Sequence, residues 1–328
     1  MKPTLNDIIF ISAQPHDFYF VWQIEIQIVN FRKFGISDKM QVLIWFPDSK
    51  TIKDKVDFQP WLNLSKKYPE VKFFFYKDKG LTPQEFTLYI SQLRPQILAK
   101  HFDTYPELKD KIFFYHDSDI IFNYLPDFQS LIEDDVNWQS DTSSYLDYNY
   151  LRSKEIQGGI PKNLSVLKLA EIGGVTINTF KEYKGKTGGA QYILKGIDGD
   201  FWRDVEKQCI QIIKAFNFNQ PGSVNSIYFK SENEGFQSWC ADMWAVNMAL
   251  WKRGKITDIT DKLDFSWATD LVTTYTKKPI YHNAGAGPSH KGIFYKGNWR
   301  FKSPLKVEHD VNDIYASWYY VQAMKEIT

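Results

Sequence analysis

Cysteine is nearly absent: the 328 residues hold two, Cys209 and Cys240, both inside helix-like apolar patterns. That argues against a disulfide framework or a thiolate metal cluster, and the pair reads as small buried residues of a reducing compartment. Long hydrophobic runs are missing as well. No apolar stretch approaches the roughly 20 residues that cross a bilayer, and Met1 to Asp7 lacks the charged start, apolar core and small-residue cleavage site of a secretory leader. The expectation is a cytoplasmic chain with no membrane span. Excess charge of either sign is lacking too. Lys and Arg total 40 against 39 Asp and Glu, a formal net charge of +1, which argues against a surface coated in positive potential for general nucleic-acid binding. Nor is there an internal repeat, a low-complexity tract or a flexible linker. These absences leave one continuous domain over residues 1–328.

Aromatic residues, by contrast, are abundant. They make up 17% of the chain, including 11 Trp and 19 Tyr, and flat rings stack on sugar faces and bases as well as filling cores. Basic residues are balanced overall but locally concentrated. Lys291, Lys296, Arg300, Lys302 and Lys306 occupy a stretch with no acid, and Lys181 to Lys195 sets four lysines against Glu182. Each stretch is either a solvated face or a phosphate-binding edge, according to its position relative to a site.

Periodicity divides the first 120 residues into alternating strands and helices. Strands are expected at Ile8 to Ser12, Val42 to Phe46, Val71 to Tyr76 and Lys111 to Tyr115. A helix is expected over Phe18 to Phe34, with Val21, Ile24, Ile28 and Phe31 on one face and Gly35 as its stop. Thr82-Pro83-Gln84-Glu85 reads as a capping box opening a second helix with Phe86, Ile90 and Leu93, kinked or restarted by Pro95 and ending near His101. This order predicts an α/β fold, a mostly parallel sheet with helices on both faces, in which ligands bind beyond the carboxyl ends of the strands. Farther on, helices are expected at Asp200 to Phe216 and Gln237 to Arg253, the latter ended by Gly254, and a strand at Pro279 to His282.

One strand end stands out. Phe113-Phe114-Tyr115-His116-Asp117-Ser118-Asp119-Ile120 delivers two carboxylates, one residue apart, to the end of an apolar run. Asp often does no more than cap a turn. Two carboxylates so placed also meet one divalent ion if the chain turns at Ser118, and oxygen ligation shared with substrate phosphates suits Mg²⁺ or Mn²⁺. Lys278-Pro279-Ile280-Tyr281-His282-Asn283-Ala284-Gly285 ends a short strand on a histidine, so His282 is a candidate third ligand, with Lys296 or Arg300 holding a diphosphate. Thr187-Gly188-Gly189-Ala190-Gln191 brings two glycines together where backbone can approach a sugar, with Gln191 available to its hydroxyls; an ordinary turn is the alternative. Asp242 sits in the middle of the Trp-rich helix beside Trp239 and Val246 and needs a partner, either a structural donor or a ligand hydroxyl.

In this order the Tyr-His-Asp-Ser-Asp, Thr-Gly-Gly-Ala-Gln-Tyr and Tyr-His-Asn-Ala-Gly motifs resemble the metal-dependent nucleotide-sugar glycosyltransferases of the GT-A fold. Within that group they are most similar to the hydroxyproline arabinosyltransferase and peptidyl-serine galactosyltransferase type. The resemblance spans most of the chain and departs from those secreted-pathway enzymes in having no signal anchor. It implies a nucleotide- and metal-binding half over 1–125 and a donor-sugar and acceptor half over 126–328. It makes Asp117, Asp119 and His282 metal ligands, Thr187, Gly188, Gly189 and Gln191 the donor-sugar loop, and Asp242 the acid at the reacting centre. Ser12, Ala13 and Gln14 would line the nucleotide. The implied reaction is transfer from a nucleotide diphosphate sugar, a UDP-sugar by preference, to the hydroxyl of a glycan or a protein side chain or to a modified nucleic-acid base, with Mn²⁺ or Mg²⁺. Two other readings stand beside it. A nucleotidyltransferase would use similar carboxylates but a glycine-rich loop after the first strand, where this chain has Ser12-Ala13-Gln14-Pro15-His16. A non-catalytic carbohydrate-binding protein would need neither Asp117 nor Asp119.

Overall fold

The computed structural model describes residues 3–47, 57–77 and 89–327. Its strands are β1 (Ile8–Pro15), β2 (Met40–Phe46), β3 (Lys72–Lys77), β4 (Ile112–Tyr115), β5 (Ile120–Phe122), β6 (Asn137–Asp141), β7 (Gly188–Lys195), β8 (Thr257–Ile259), β9 (Phe265–Trp267) and β10 (Ile280–His282). The chain forms two compact units, both discontinuous in sequence. One comprises Met1–Asp78, Phe113–Glu133 and Asp261–Thr328, the other Lys79–Ile112 and Asp134–Thr260.

In the first unit the strand order is β3-β2-β1-β4, with β1 parallel to β2 and β2 parallel to β3. β1 is buried along almost its whole length, as parallel strands covered on both faces are. The Phe18–Lys33 helix forms where expected. Its chain leaves through Gly35 at φ +67°, a left-handed exit that glycine makes without a Cβ clash, and Arg32 and Lys33 complement the last turn. Rings from several elements close the core. Phe10 meets Phe114 at 5.6 Å and Phe128 at 5.2 Å edge-on, and Phe31 stacks on Phe122 at 4.5 Å; such pairs add about 0.5–1.5 kcal/mol each beyond burial. A second sheet, β5-β10-β9, completes the unit. Trp22, Ile26, Ile121, Tyr281 and Tyr320 pack together beside it. Much of the aromatic excess is therefore core.

The second unit carries β7-β6-β8, with β6 antiparallel to β7 and parallel to β8. Its helices include Leu93–Thr104, Gly199–Phe216 and Ala241–Lys252. The Gly199–Phe216 helix starts on Asp198, whose Oδ1 accepts from Phe201 N at 2.8 Å. It turns Phe201, Val205, Cys209, Ile212 and Phe216 inward at helical spacing.

The capping box at Thr82 to Glu85, with Phe86, lies outside the described residues. Beyond it a 3₁₀ turn at Ile90–Gln92 leads into the Leu93–Thr104 helix, where Pro95 occupies the first turn and needs no amide hydrogen; the helix then runs past His101 to Thr104. The expected Gln237 to Arg253 helix is instead a 3₁₀ turn, Ser238–Cys240, followed by an α-helix from Ala241. The break has a local cause. Trp239 O accepts from Tyr89 Oη at 2.7 Å, while Met243 N, its would-be α-helical donor, turns to Asp242 Oδ1 at 3.0 Å.

Candidate functional site

The two carboxylates reach their place through a turn held from behind. β4 ends at Tyr115, His116 N donates to Ile11 O at 3.1 Å, and the chain re-enters as β5 at Ile120. Between these points Gln27, fully buried on the Phe18–Lys33 helix, donates through Nε2 to Asp117 O at 3.1 Å and Ile120 O at 3.4 Å. Gln23 Oε1 accepts from Ser118 Oγ at 3.4 Å. Asn30 closes the set, donating to Phe122 O at 3.0 Å and accepting from Phe122 N at 2.7 Å. Gln23, Gln27 and Asn30 lie at i, i+4 and i+7, one face of the helix. Sequence reasoning missed them; the available signal was three amides at helical spacing inside a largely apolar helix. His116 is buried under this turn against Phe114, and burial pushes its imidazole down to about 4 despite the Asp117 carbonyl 2.9 Å from Nδ1. It is a neutral structural residue.

Strand pairing brings His282 to the same place. β10 runs antiparallel to β5 with His282 opposite Ile120, and Asn283 N donates to Asp119 O at 2.9 Å. Trp267 on β9 stacks against the imidazole at 5.7 Å and 18°, with Phe265 edge-on at 5.3 Å. The ring so held points Nε2 at Asp117 Oδ2, 3.4 Å away, and Asp119 Oδ1, 3.3 Å away. Lys296, from the 3₁₀ turn Lys296–Trp299, forms an ion pair with Asp119 Oδ2. Burial opposes ionisation of Asp119, but the Lys296 ammonium and His282 outweigh it and hold the carboxyl well below its usual range. Burial likewise disfavours the Lys296 charge, and Asp119 overrides it, raising the ammonium above its ordinary value. Arg300 is exposed, its guanidinium over the Phe301 ring at 5.6 Å.

Asp117, Asp119 and His282 each offer a ligand atom, and these atoms lie within 4.8 Å of one another. Two ligands at about 2.0–2.5 Å span roughly 4–5 Å across one ion. Two carboxylates and an imidazole are a donor set for Mn²⁺ or another divalent ion. The buried Asp119 carboxylate already attracts a cation in Lys296. The residues fit the group.

Ser12, Ala13 and Gln14 lie buried in β1. Gln14 Nε2 donates to Leu43 O at 2.8 Å, leaving its Oε1 and Ser12 Oγ buried without a hydrogen bond among the described residues.

The other sequence candidates belong to the second unit. Gly188 and Gly189 open β7. A Cβ on Gly188 would lie 2.2 Å from Ser140 O, and one on Gly189 2.9 Å from Tyr192 Oη, so the glycines permit close packing within the unit. The backbone of Gly188 is engaged too: its N donates to Gln139 Oε1 and its O accepts from Asn247 Nδ2, each at 2.9 Å. Thr187 Oγ1 donates to Tyr183 O at 3.1 Å. Gln191 is fully buried; its Oε1 accepts from Ser140 Oγ at 2.7 Å, while its Nε2 has no hydrogen bond among the described residues. Ala190, between Gly189 and Gln191, takes φ +70° where the β6–β7 register shifts. A non-glycine residue there carries roughly 1–3 kcal/mol of strain.

Asp242 is buried and has structural partners that the sequence did not identify. Arg94 forms an ion pair with Oδ2, and Tyr89 Oη donates to Oδ1 at 2.8 Å. Burial and the neighbouring carboxylate push the Tyr89 hydroxyl far up, keeping it a donor. Trp239, expected beside Asp242 on a continuous helix, is half exposed in the 3₁₀ turn.

No protein-family model matches the chain, and no curated protein does. Among solved structures it is similar to the galactosyltransferase LgtC, crystallised in complex with donor and acceptor sugar analogs. The TM-score is 0.44 at 9% sequence identity, with 97% of this chain and 96% of that chain covered. No helix among the described residues is long and apolar enough to cross a membrane.

Proposed function

We propose that the chain is a metal-dependent glycosyltransferase of the GT-A type, moving a sugar from a nucleotide diphosphate sugar to an acceptor hydroxyl. One observation carries the reading: Asp117, Asp119 and His282, 165 residues apart at the extremes, converge in one cluster, Asp119 and His282 buried and Asp117 partly exposed, with the Lys296 ammonium beside them. A turn cap would need neither the histidine nor the lysine. Asp117, Asp119 and His282 Nε2 would hold Mn²⁺ or Mg²⁺. Bound there, the ion would offset negative charge on the leaving diphosphate.

The chain's own residues supply the rest. Lys296 sits within reach of the same anionic groups and stays protonated, so it binds a phosphate oxygen by a charge-assisted hydrogen bond. The Gln23, Gln27 and Asn30 amides hold the turn rigid, so the carboxylates are oriented before the donor arrives. In the second unit, Thr187, Gly188, Gly189 and Gln191 enter the reading as donor-sugar residues on the sequence resemblance, and the Gln191 Nε2, without a hydrogen bond among the described residues, is the group there best suited to a hydroxyl. Asp242 enters as the acid at the reacting centre, held in one rotamer by Arg94 and Tyr89. Uridine is the preferred base, and the arabinosyl or galactosyl type the preferred relative.

Calorimetric titration with uridine, guanosine, adenosine and cytidine diphosphates, each with Mn²⁺ and with chelator, tests the reading. Metal-dependent binding of one nucleotide, lost in Asp117→Ala and Asp119→Ala, is expected. Absence of binding to all four overturns it.

A further inference from the structure

A cavity of about 550 Å³ opens in the second unit between the C-terminal end of the Leu164–Gly173 helix, one face of the Gly199–Phe216 helix and Lys252. Its volume falls within the roughly 300–1,000 Å³ of small-molecule sites, and its lining is charged. Lys168, Lys207, Lys214 and Lys252 face Glu171 and Asp204. The opposite charges do not simply cancel in pairs. Asp204 is taken by Lys252 at 3.1 Å and by Arg253 at 2.9 Å, which leaves Lys168, Lys207 and Lys214 with no ion pair among the described residues and Glu171 as the remaining acid. Lys207, Gln211 and Lys214 stand at i, i+4 and i+7 and so share one helical face. The opposite face of that helix is core.

A second observation is independent of charge. Gln208 also lines the cavity, yet it is only 3% exposed, and its Oε1 has no hydrogen-bond partner among the described residues. A buried amide oxygen left unpaired costs about 1–3 kcal/mol, which a ligand hydroxyl removes whichever way the amide is turned, since a hydroxyl both donates and accepts.

We propose that this cavity binds a small phosphorylated sugar, with Lys168, Lys207 and Lys214 on the phosphate and the Gln208 amide on a sugar hydroxyl. Lysine serves as a phosphate binder through point charge, and three lysines, Lys168 on one helix and Lys207 and Lys214 on the other, suit a dianion better than a carboxylate. The site stands apart from the metal-centred reading, because all its residues belong to the second unit and none ligates the ion.

Isothermal titration in chelator, which removes the metal-dependent site from the measurement, tests it with glucose 6-phosphate, inorganic phosphate and glucose as probes. Glucose 6-phosphate is expected to bind more tightly than inorganic phosphate, and glucose more weakly than either. The double variant Lys207→Glu/Lys214→Glu, at exposed positions that the fold does not use, weakens both phosphate probes at least tenfold while its circular dichroism stays unchanged. Gln208→Leu brings glucose 6-phosphate to the affinity of inorganic phosphate and leaves the latter unaltered. Failure of both phosphate probes to bind, wild-type affinity in the charge-reversed variant, or glucose binding as tightly as its phosphate overturns the proposal. Unchanged glucose 6-phosphate binding in Gln208→Leu overturns the sugar assignment.

Discussion

Replacing Asp119 by asparagine separates the ion's contribution from that of the Lys296 pair. In chelator, the variant leaves the Lys296 ammonium without its partner. Breaking a fully buried pair costs about 3–5 kcal/mol, but the Lys296 side chain keeps 27% of its exposure and is partly re-solvated, so about 1–3 kcal/mol is expected. Unfolding 328 residues at roughly 2.1 cal/mol/K per residue carries an entropy of about 0.7 kcal/mol/K, so the melting temperature falls by about 1–4 °C. Mn²⁺ at about one hundred times the wild-type Kd stabilises the wild type by about 2.7 kcal/mol, a rise of about 4 °C. With one of the three proposed ligands gone and affinity down about 10- to 100-fold, the same Mn²⁺ concentration is worth roughly 0.4–1.4 kcal/mol to Asp119→Asn, or about 0.6–2 °C. Lys296→Met breaks the same pair but keeps every ligand, so its Mn²⁺-induced rise matches or exceeds that of the wild type. Differential scanning calorimetry with and without Mn²⁺ reads these three and His282→Gln, which also removes a proposed ligand. Equal Mn²⁺-induced rises in wild type, Asp119→Asn and His282→Gln would refute the reasoning, since the ion would then lie elsewhere.

Three further outcomes follow from the packing. Gln27→Leu leaves the Asp117 and Ile120 carbonyls without their amide donor, costs about 1–3 kcal/mol in urea unfolding, and weakens Mn²⁺ binding about tenfold although the residue is no ligand; unaltered Mn²⁺ affinity would show that the turn holds its shape without the clamp. Gly188→Ala places a Cβ 2.2 Å from a backbone oxygen, so its cost is set by backbone displacement and exceeds about 2 kcal/mol; a soluble variant with a wild-type melting temperature would contradict that geometry. Burial lowers the His101 imidazole to about 4, whereas the unfolded chain takes up a proton near 6.5. Stability from this site is therefore present above about pH 6.5 and is lost as pH falls toward 4, about 2 kcal/mol by pH 5. His116, also lowered to about 4 by burial, adds a similar loss, so His101→Leu retains only part of the wild-type dependence between pH 7 and pH 5. An unchanged pH dependence in that variant would refute the assignment.

Local pattern determined a good deal of this protein. Apolar runs set β1, β2, β3 and β10 to within a few residues, because strands buried on both faces, as β1, β2 and β10 are, are largely apolar, and the edge strand β3 carries its own run of aromatic residues. The Phe18–Lys33 helix and its exit at Gly35 were legible from 3.6-residue spacing and the glycine that ends it. Asp117, Asp119 and His282 were legible as candidates, because two carboxylates at the end of an apolar strand are costly unless a cation or a turn amide meets them, and a histidine ends a later strand. The tertiary structure decided what meets them. No local pattern places His282 opposite Ile120, since register between segments 160 residues apart is set by the packing of β5 and β10. The same holds for Arg94 and Tyr89 on Asp242, for the Gln27 clamp, and for the neighbours that make Gly188 a packing glycine. Sequence shows that a buried polar group needs a partner; which group answers depends on distances of a few ångströms between residues far apart in the chain, and only the folded structure brings them within that range.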